Sequence, residues 1–137
     1  MWWIYALLSA VFAALTAIFA KVGIKGVNTD VATAIRTVVI LIIAWGIVIG
    51  RGLLNTIPAL TKQNYLFLTL SGVATGLSWI FYFKALQAGT ISQVAPLDKL
   101  SVAVAIIFAV IFLGETPDLK TIIGACLIVA GTLTLIL

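Results

Sequence analysis

Val31-Ala32-Thr33-Ala34-Ile35-Arg36-Thr37-Val38-Val39-Ile40-Leu41-Ile42-Ile43-Ala44-Trp45-Gly46-Ile47-Val48-Ile49 is a nineteen-residue run with a single charge, on Arg36. At ~1.5 Å rise per residue, a helix of that length crosses most of the ~30 Å hydrocarbon core of a bilayer. Four more runs of this kind are spaced along the chain, at residues 2–20, 63–83, 91–113 and 121–137. Short polar segments separate them. Residues 21–30 hold Gly23, Gly26 and Asn28, and residues 50–62 hold Pro58. Gln87-Ala88-Gly89-Thr90 reads as a tight turn, and residues 114–120 form another with Glu115, Pro117 and Asp118. Trp2, Trp3 and Tyr65 sit at run ends, where aromatic belts form. The expectation is an all-α integral membrane protein of five transmembrane helices.

Composition agrees. Of 137 residues 64% are hydrophobic and 9% charged, with a mean hydropathy of +1.29. Soluble domains carry roughly 25% charged residues. The length suits one domain, residues 1–137. A net charge of +4 raises nucleic acid as a partner, but the eight Lys and Arg residues fall mostly at run ends and read as membrane-edge anchors. Nucleic-acid binding is set aside. With no histidine and one cysteine, Cys126, there is no Cys-cluster metal site, no disulfide framework and no commonplace general base. No metal and no cofactor is expected, and Cys126 reads as buried filler. Ala17-Ile18-Phe19-Ala20 has the small residues of a signal-peptide cleavage site, but Met1-Trp2-Trp3 lacks a basic flank, so the first run reads as a membrane helix.

Five crossings place the termini on opposite sides. Loops on the N-terminal side carry Arg51, Lys62 and Lys120, and loops on the other carry Lys21, Lys25 and Lys84. The positive-inside rule reads an asymmetry that this chain barely has. Either the chain inserts both ways, a dual topology, or another feature fixes one orientation.

The stretch Ser78-Trp79-Ile80-Phe81-Tyr82-Phe83-Lys84-Ala85-Leu86-Gln87-Ala88-Gly89-Thr90-Ile91-Ser92-Gln93-Val94-Ala95-Pro96-Leu97 resembles the junction between the third and fourth helices of EamA-type proteins of the drug/metabolite transporter superfamily. Leu113-Gly114-Glu115 resembles the Leu-Gly-Glu that closes their fourth helix, and Arg36 matches an arginine found early in their second. The five-run layout is similar to one EamA repeat over the whole chain. Because most members carry two repeats in opposite orientations, the resemblance implies a homodimer, antiparallel if the plan is kept. It also implies a multi-pass protein of the plasma (inner) membrane that transports a small molecule. The small multidrug resistance relatives have four helices and a glutamate in the first. Residues 2–20 contain no acid, so proton coupling by that route is absent.

Ionisable side chains inside a membrane run are costly and are functional candidates by default. Here they are Arg36, Asp98 and Lys99. Arg36 lies about 7 Å and Asp98 about 10 Å into their runs at ~1.5 Å per residue, so the two can reach similar depth and pair. Arg36 can equally snorkel to the headgroups. Asp98 serves either in a lining or gating role or in a structural ion pair. Lys99, about 100° around an ideal helix from Asp98, is expected to face a different neighbour. A shared cavity of these three would favour an anionic or zwitterionic solute.

Ser71, Thr75, Ser78 and Tyr82 recur at helical spacing on one face of the third run, either lining a cavity or bonding to neighbouring backbone. Trp79 and Phe83 flank them, as cavity wall or packing pair. Pro96 lacks a backbone donor and is expected to kink the fourth run beside Asp98. Gly124 and Gly131, like Gly72 and Gly76, offer small-residue faces for close helix approach. The substrate-binding or gating set is therefore Asp98, Lys99, Arg36, Ser71, Thr75, Ser78, Trp79 and Tyr82.

Three functions compete. The first is a secondary transporter of a small polar or amphipathic metabolite, working by alternating access. The second is a non-transporting assembly or regulatory subunit, against which the short, plain loops argue. The third, a membrane enzyme, lacks histidine, a nucleophile motif and a paired acidic site.

Overall fold

The structure, a computed structural model, describes all residues 1–137. It consists of α1 (Trp2–Gly23), α2 (Thr29–Gly50), a 3₁₀ helix (Leu53–Ala59), α3 (Lys62–Ala88), α4 (Ile91–Asp98), α5 (Leu100–Leu113) and α6 (Leu119–Ile136). Helices α4 and α5 share one span, Ile91–Leu113, so five stretches are long and apolar enough to cross a membrane. The chain is an all-α multi-pass membrane protein.

Local chemistry sets the helix ends. The Asn28 side-chain oxygen accepts from the backbone N–H groups of Asp30 (2.8 Å) and Val31 (3.4 Å), so α2 starts at Thr29, two residues before the apolar run. Asp30 in its first turn adds a favourable charge at the positive end of the helix dipole. Gly26 takes φ +70°, a left-handed conformation suited to glycine, and turns the chain between α1 and α2. Helix α3 continues five residues beyond Phe83, into the first half of the turn expected at 87–90. Leu86 becomes fully buried, and Gln87 finds partners from a helical position, so only Gly89 and Thr90 remain for the turn. The Gln93 side-chain oxygen then accepts from the Thr90 backbone (3.4 Å) and hydroxyl (2.9 Å) to open α4. Gly114, at φ +66°, closes α5.

The chain divides into two compact units, residues 19–87 and residues 1–18 with 88–137. In the first, Ala20, Ile24, Thr29, Thr33, Phe83 and Leu86 are buried around the 24–28 loop. Hydrophobic burial does not drive association between helices in lipid, so polar contacts and close packing must hold them. The Gln87 amide donates to the carbonyls of Ile24 (3.2 Å) and Val27 (3.0 Å) just beyond the end of α1. The Lys21 ammonium donates to the Leu86 carbonyl in the last turn of α3, where positive charge also suits the dipole. Lys84 meets Asp30 at 3.5 Å. The hydroxyls of Thr33 and Thr37 bond back to the carbonyls of Thr29 and Thr33, each at 2.8 Å. Further along α2, Ile40, Leu41, Ile42 and Ile43 are all exposed, and four successive residues cover most of a helix circumference.

In the second unit, α6 packs against both α4 and α5. Val94 and Thr132 are buried there. Small residues on the facing sides of α5 and α6, among them Ala103, Ala125 and Ala130, leave an apolar groove of about 590 Å³. Cys126 lines this groove and is exposed, in contrast to the expected buried filler. A methyl group added at Gly72, Gly76, Gly124 or Gly131 would meet nothing within 4 Å. These small-residue faces are therefore not consumed by packing within the chain.

Candidate functional site

Arg36 stands seven residues into α2, about 10 Å from its start at ~1.5 Å per residue. Its guanidinium carbon lies 4.3 Å from the centre of the Phe83 ring and 5.3 Å from that of Trp79. Those rings are four residues apart on α3 and share a face, so one planar cation covers both. Phe83 is 1% exposed and turns its edge to Tyr82, with the ring centres 5.6 Å apart. The Arg36 guanidinium packs on the Phe83 and Trp79 rings. Its Nη1 is buried and has no hydrogen-bond partner.

The remaining α3 residues separate. Ser71, Thr75 and Ser78 are exposed. The Thr75 hydroxyl donates to the Ser71 carbonyl at 2.9 Å, the local backbone bond that competes with any role in a cavity. Trp79 and Tyr82 are half-buried, and of the expected set these two lie with Arg36.

The fourth span is broken at its charged pair. Helix α4 ends at Asp98 and α5 begins at Leu100, with Lys99 between them at φ −71°, ψ −10°. The break falls three residues beyond Pro96. The Pro96 carbonyl accepts from the Lys99 N–H at 3.0 Å, an i→i+3 contact, and from the Thr132 hydroxyl at 3.2 Å. Lys99 does not face away from Asp98: its ammonium lies 3.5 Å from the Asp98 carboxylate. The ionic partner of Asp98 is therefore its chain neighbour, whereas Arg36 rests on two rings. Asp98 is 39% exposed and Lys99 58%. Thr132 was not singled out in the sequence. Its signal was a hydroxyl in an uncharged apolar helix, the same kind of signal that marked Ser71 and Ser78.

A second cavity, of about 610 Å³, opens between α5 and α6 at the 114–118 turn and is lined by Glu115, Asp118 and Thr121 among others. Asp118 caps α6, accepting from the Thr121 hydroxyl and from the Thr121 N–H at 2.9 Å. Those bonds hold its carboxyl below the usual carboxylate range. Asp118 thus serves the helix end. No group of three or more His, Cys, Asp or Glu side chains is placed to hold a metal ion.

Comparison with known proteins agrees with this architecture. The model of the EamA-like transporter family matches residues 1–137. The uncharacterized transporter in cobO 3'region of Sinorhizobium sp. is 52% identical over 134 residues, which cover 98% of this chain and 95% of that protein. The uncharacterized transporter YxxF of Bacillus subtilis (strain 168) is 28% identical over 143 residues, covering 97% of this chain but 42% of its own length. No solved structure matches the chain. Five apolar spans, the expected junction and Leu-Gly-Glu motifs, and a family match from end to end lead to one conclusion: this chain belongs to the EamA-like transporter family, whose members are multi-pass membrane transporters and not enzymes.

Proposed function

We propose that the chain is a secondary transporter moving a small polar or amphipathic metabolite by alternating access, as an antiparallel homodimer in the plasma membrane. The observation that carries this reading is the break of the fourth span at Asp98 and Lys99. Interrupted helices inside the membrane free backbone groups and place charge at depth, and secondary transporters bind solutes at such points. Asp98, Lys99 and Arg36 are the charged groups of the pathway. Trp79 and Tyr82 flank Arg36, while Ser71, Thr75 and Ser78 lie on the exposed stripe of α3.

Exposure of polar groups supports the dimer. Ser71, Ser78, Asp98 and Lys99 lie within spans yet are exposed on the single chain, and lipid solvates such groups poorly. A second copy would cover them. The Bacillus protein, more than twice as long as the segment it shares, has room for two such repeats in one chain. One repeat, residues 1–137, would then form half of the transport unit.

The test is counterflow in proteoliposomes. Purified protein, preloaded with a panel of unlabelled metabolites, should accumulate the labelled form of at least one, and Asp98→Asn should slow that exchange at least tenfold. Absence of exchange across the panel, together with copurification of a fixed partner protein, would overturn the transporter reading.

A further inference from the structure

The residues around Arg36 define the chemistry of a ligand. The unit that holds it, residues 19–87, contains Lys21, Lys25, Arg36, Arg51, Lys62 and Lys84, but Asp30 is its one carboxylate. Asp30 is engaged by Lys84 at 3.5 Å. Arg36 therefore has no anion within its unit. Phe83 and Trp79 contact the guanidinium, and an aromatic ring offers no hydrogen-bond acceptor of carboxylate strength to its N–H groups. Nη1 is buried without an acceptor. A desolvated N–H on a charged group is costly to leave unpaired, and an incoming oxyanion relieves that cost. The planar fork matches a carboxylate in particular, with two parallel N–H···O bonds in the guanidinium plane.

We infer that Arg36, resting on Trp79 and Phe83, is a binding point for the carboxylate of an organic solute. The inference rests on the transporter reading and narrows its substrate class to carboxylic acids in their anionic form. Phosphate of an anionic lipid presents the same oxyanion chemistry from a different source.

The test observes Arg36 directly. The sequence has two arginines, Arg36 and Arg51, so Arg51→Lys leaves a single arginine side chain. The full chain with that substitution and ¹⁵N-labelled arginine, in a neutral detergent, gives one guanidinium signal by NMR. Benzoate and hexanoate should shift it saturably, and the matched amides, benzamide and hexanamide, should not. In a second variant with Arg51 intact, Arg36→Lys should weaken carboxylate binding about tenfold, the loss of one charge-assisted hydrogen bond. A signal indifferent to both carboxylates, or moved equally by the amides, overturns the inference even if counterflow finds a neutral or cationic substrate. A saturable carboxylate shift without any flux keeps the binding point and removes the transporter reading. Nanodiscs of phosphatidylglycerol and of phosphatidylcholine separate the sources. A shift produced by phosphatidylglycerol alone, which benzoate cannot displace, assigns Arg36 to lipid and overturns the solute.

Discussion

The hydroxyl of Thr132 donates to the carbonyl oxygen of Pro96 at 3.2 Å, joining α6 to the helix that ends at the charged break. Thr132 is 4% exposed, so water cannot replace it there. The bond supplies the Pro96 carbonyl with a second donor three residues before the helix assignment breaks at Lys99.

Thr132→Val should therefore loosen the break. Interhelical hydrogen bonds in membranes average about 0.6 kcal/mol, with a ceiling near 1.7. A loss of about 1 kcal/mol is expected, read as a lower unfolding midpoint in a detergent titration. Thr132→Ser keeps the donor and should lose less than half as much. Equal losses would assign the effect to packing of the Thr methyl group.

Asp98 and Lys99 should be energetically coupled. Their ion pair is more than a third exposed on both sides, so solvent or a polar cavity screens it, and the coupling should not exceed about 1 kcal/mol. Asp98→Asn, Lys99→Gln and the double variant form the cycle. Additive losses would show that the 3.5 Å contact carries no energy.

The Gln87 amide serves two carbonyls at the α1–α2 junction. Gln87→Leu removes both donors without removing bulk. A loss of about 1–3 kcal/mol is expected, because two acceptors are left near the membrane edge, where water satisfies them only in part. Hydrogen exchange at residues 24–28 should rise in the variant, and unchanged protection there would reject the role of Gln87 as a clasp.

Asp118 links stability to acid. Its hydrogen bonds from the Thr121 hydroxyl and N–H hold its folded pKa below the ordinary value of about 3.9. The stabilisation is present above that ordinary value and is lost as pH falls through the folded pKa. Melting followed from pH 7 downward should drop in the acid range, and Asp118→Asn should flatten this drop. Thr121→Val, which keeps only the backbone donor, should move the drop toward higher pH.

The spans were legible because lipid imposes a simple demand: about 20 apolar residues in a row, with few exceptions. The chemistry of the exceptions was less legible. Depth along a run does not specify rotation about the helix, and the contacts of Arg36 with Phe83 and Trp79 depend on that rotation. Backbone geometry sets Asp98 and Lys99 about 100° apart, but flexible side chains close that gap and meet at 3.5 Å. Pro96 announces an irregular fourth span, but its hydrogen bond from Thr132 joins residues 36 positions apart and cannot be read from local sequence. The reach of α3 to Ala88 was missed for the same reason: the partners of Leu86 and Gln87 lie around the 24–28 loop.

The working unit should be an antiparallel pair, and insertion can be steered to test it. With five alternating crossings, the lysines and arginines at the span ends and connections would number three on each side, so neither orientation would have a strong electrostatic preference. The small-residue faces at Gly72 and Gly76 and at Gly124 and Gly131 have open space around them within 4 Å, as faces awaiting another chain would. Intramembrane Ser71, Ser78, Asp98 and Lys99 are exposed and need a polar neighbour. In an antiparallel pair the two-fold axis lies in the membrane plane, so the break of the fourth span and the Arg36 site each occur once toward either surface. Rocking about that axis exchanges the roles of the two copies and gives both gates the same chemistry. Two lysines added within residues 50–62 should bias insertion one way, and two added within residues 21–30 should bias it the other. Each biased variant alone should lose at least tenfold in counterflow, and coexpression of the two should restore it. Full activity of one biased variant by itself would exclude the antiparallel pair and leave a parallel one.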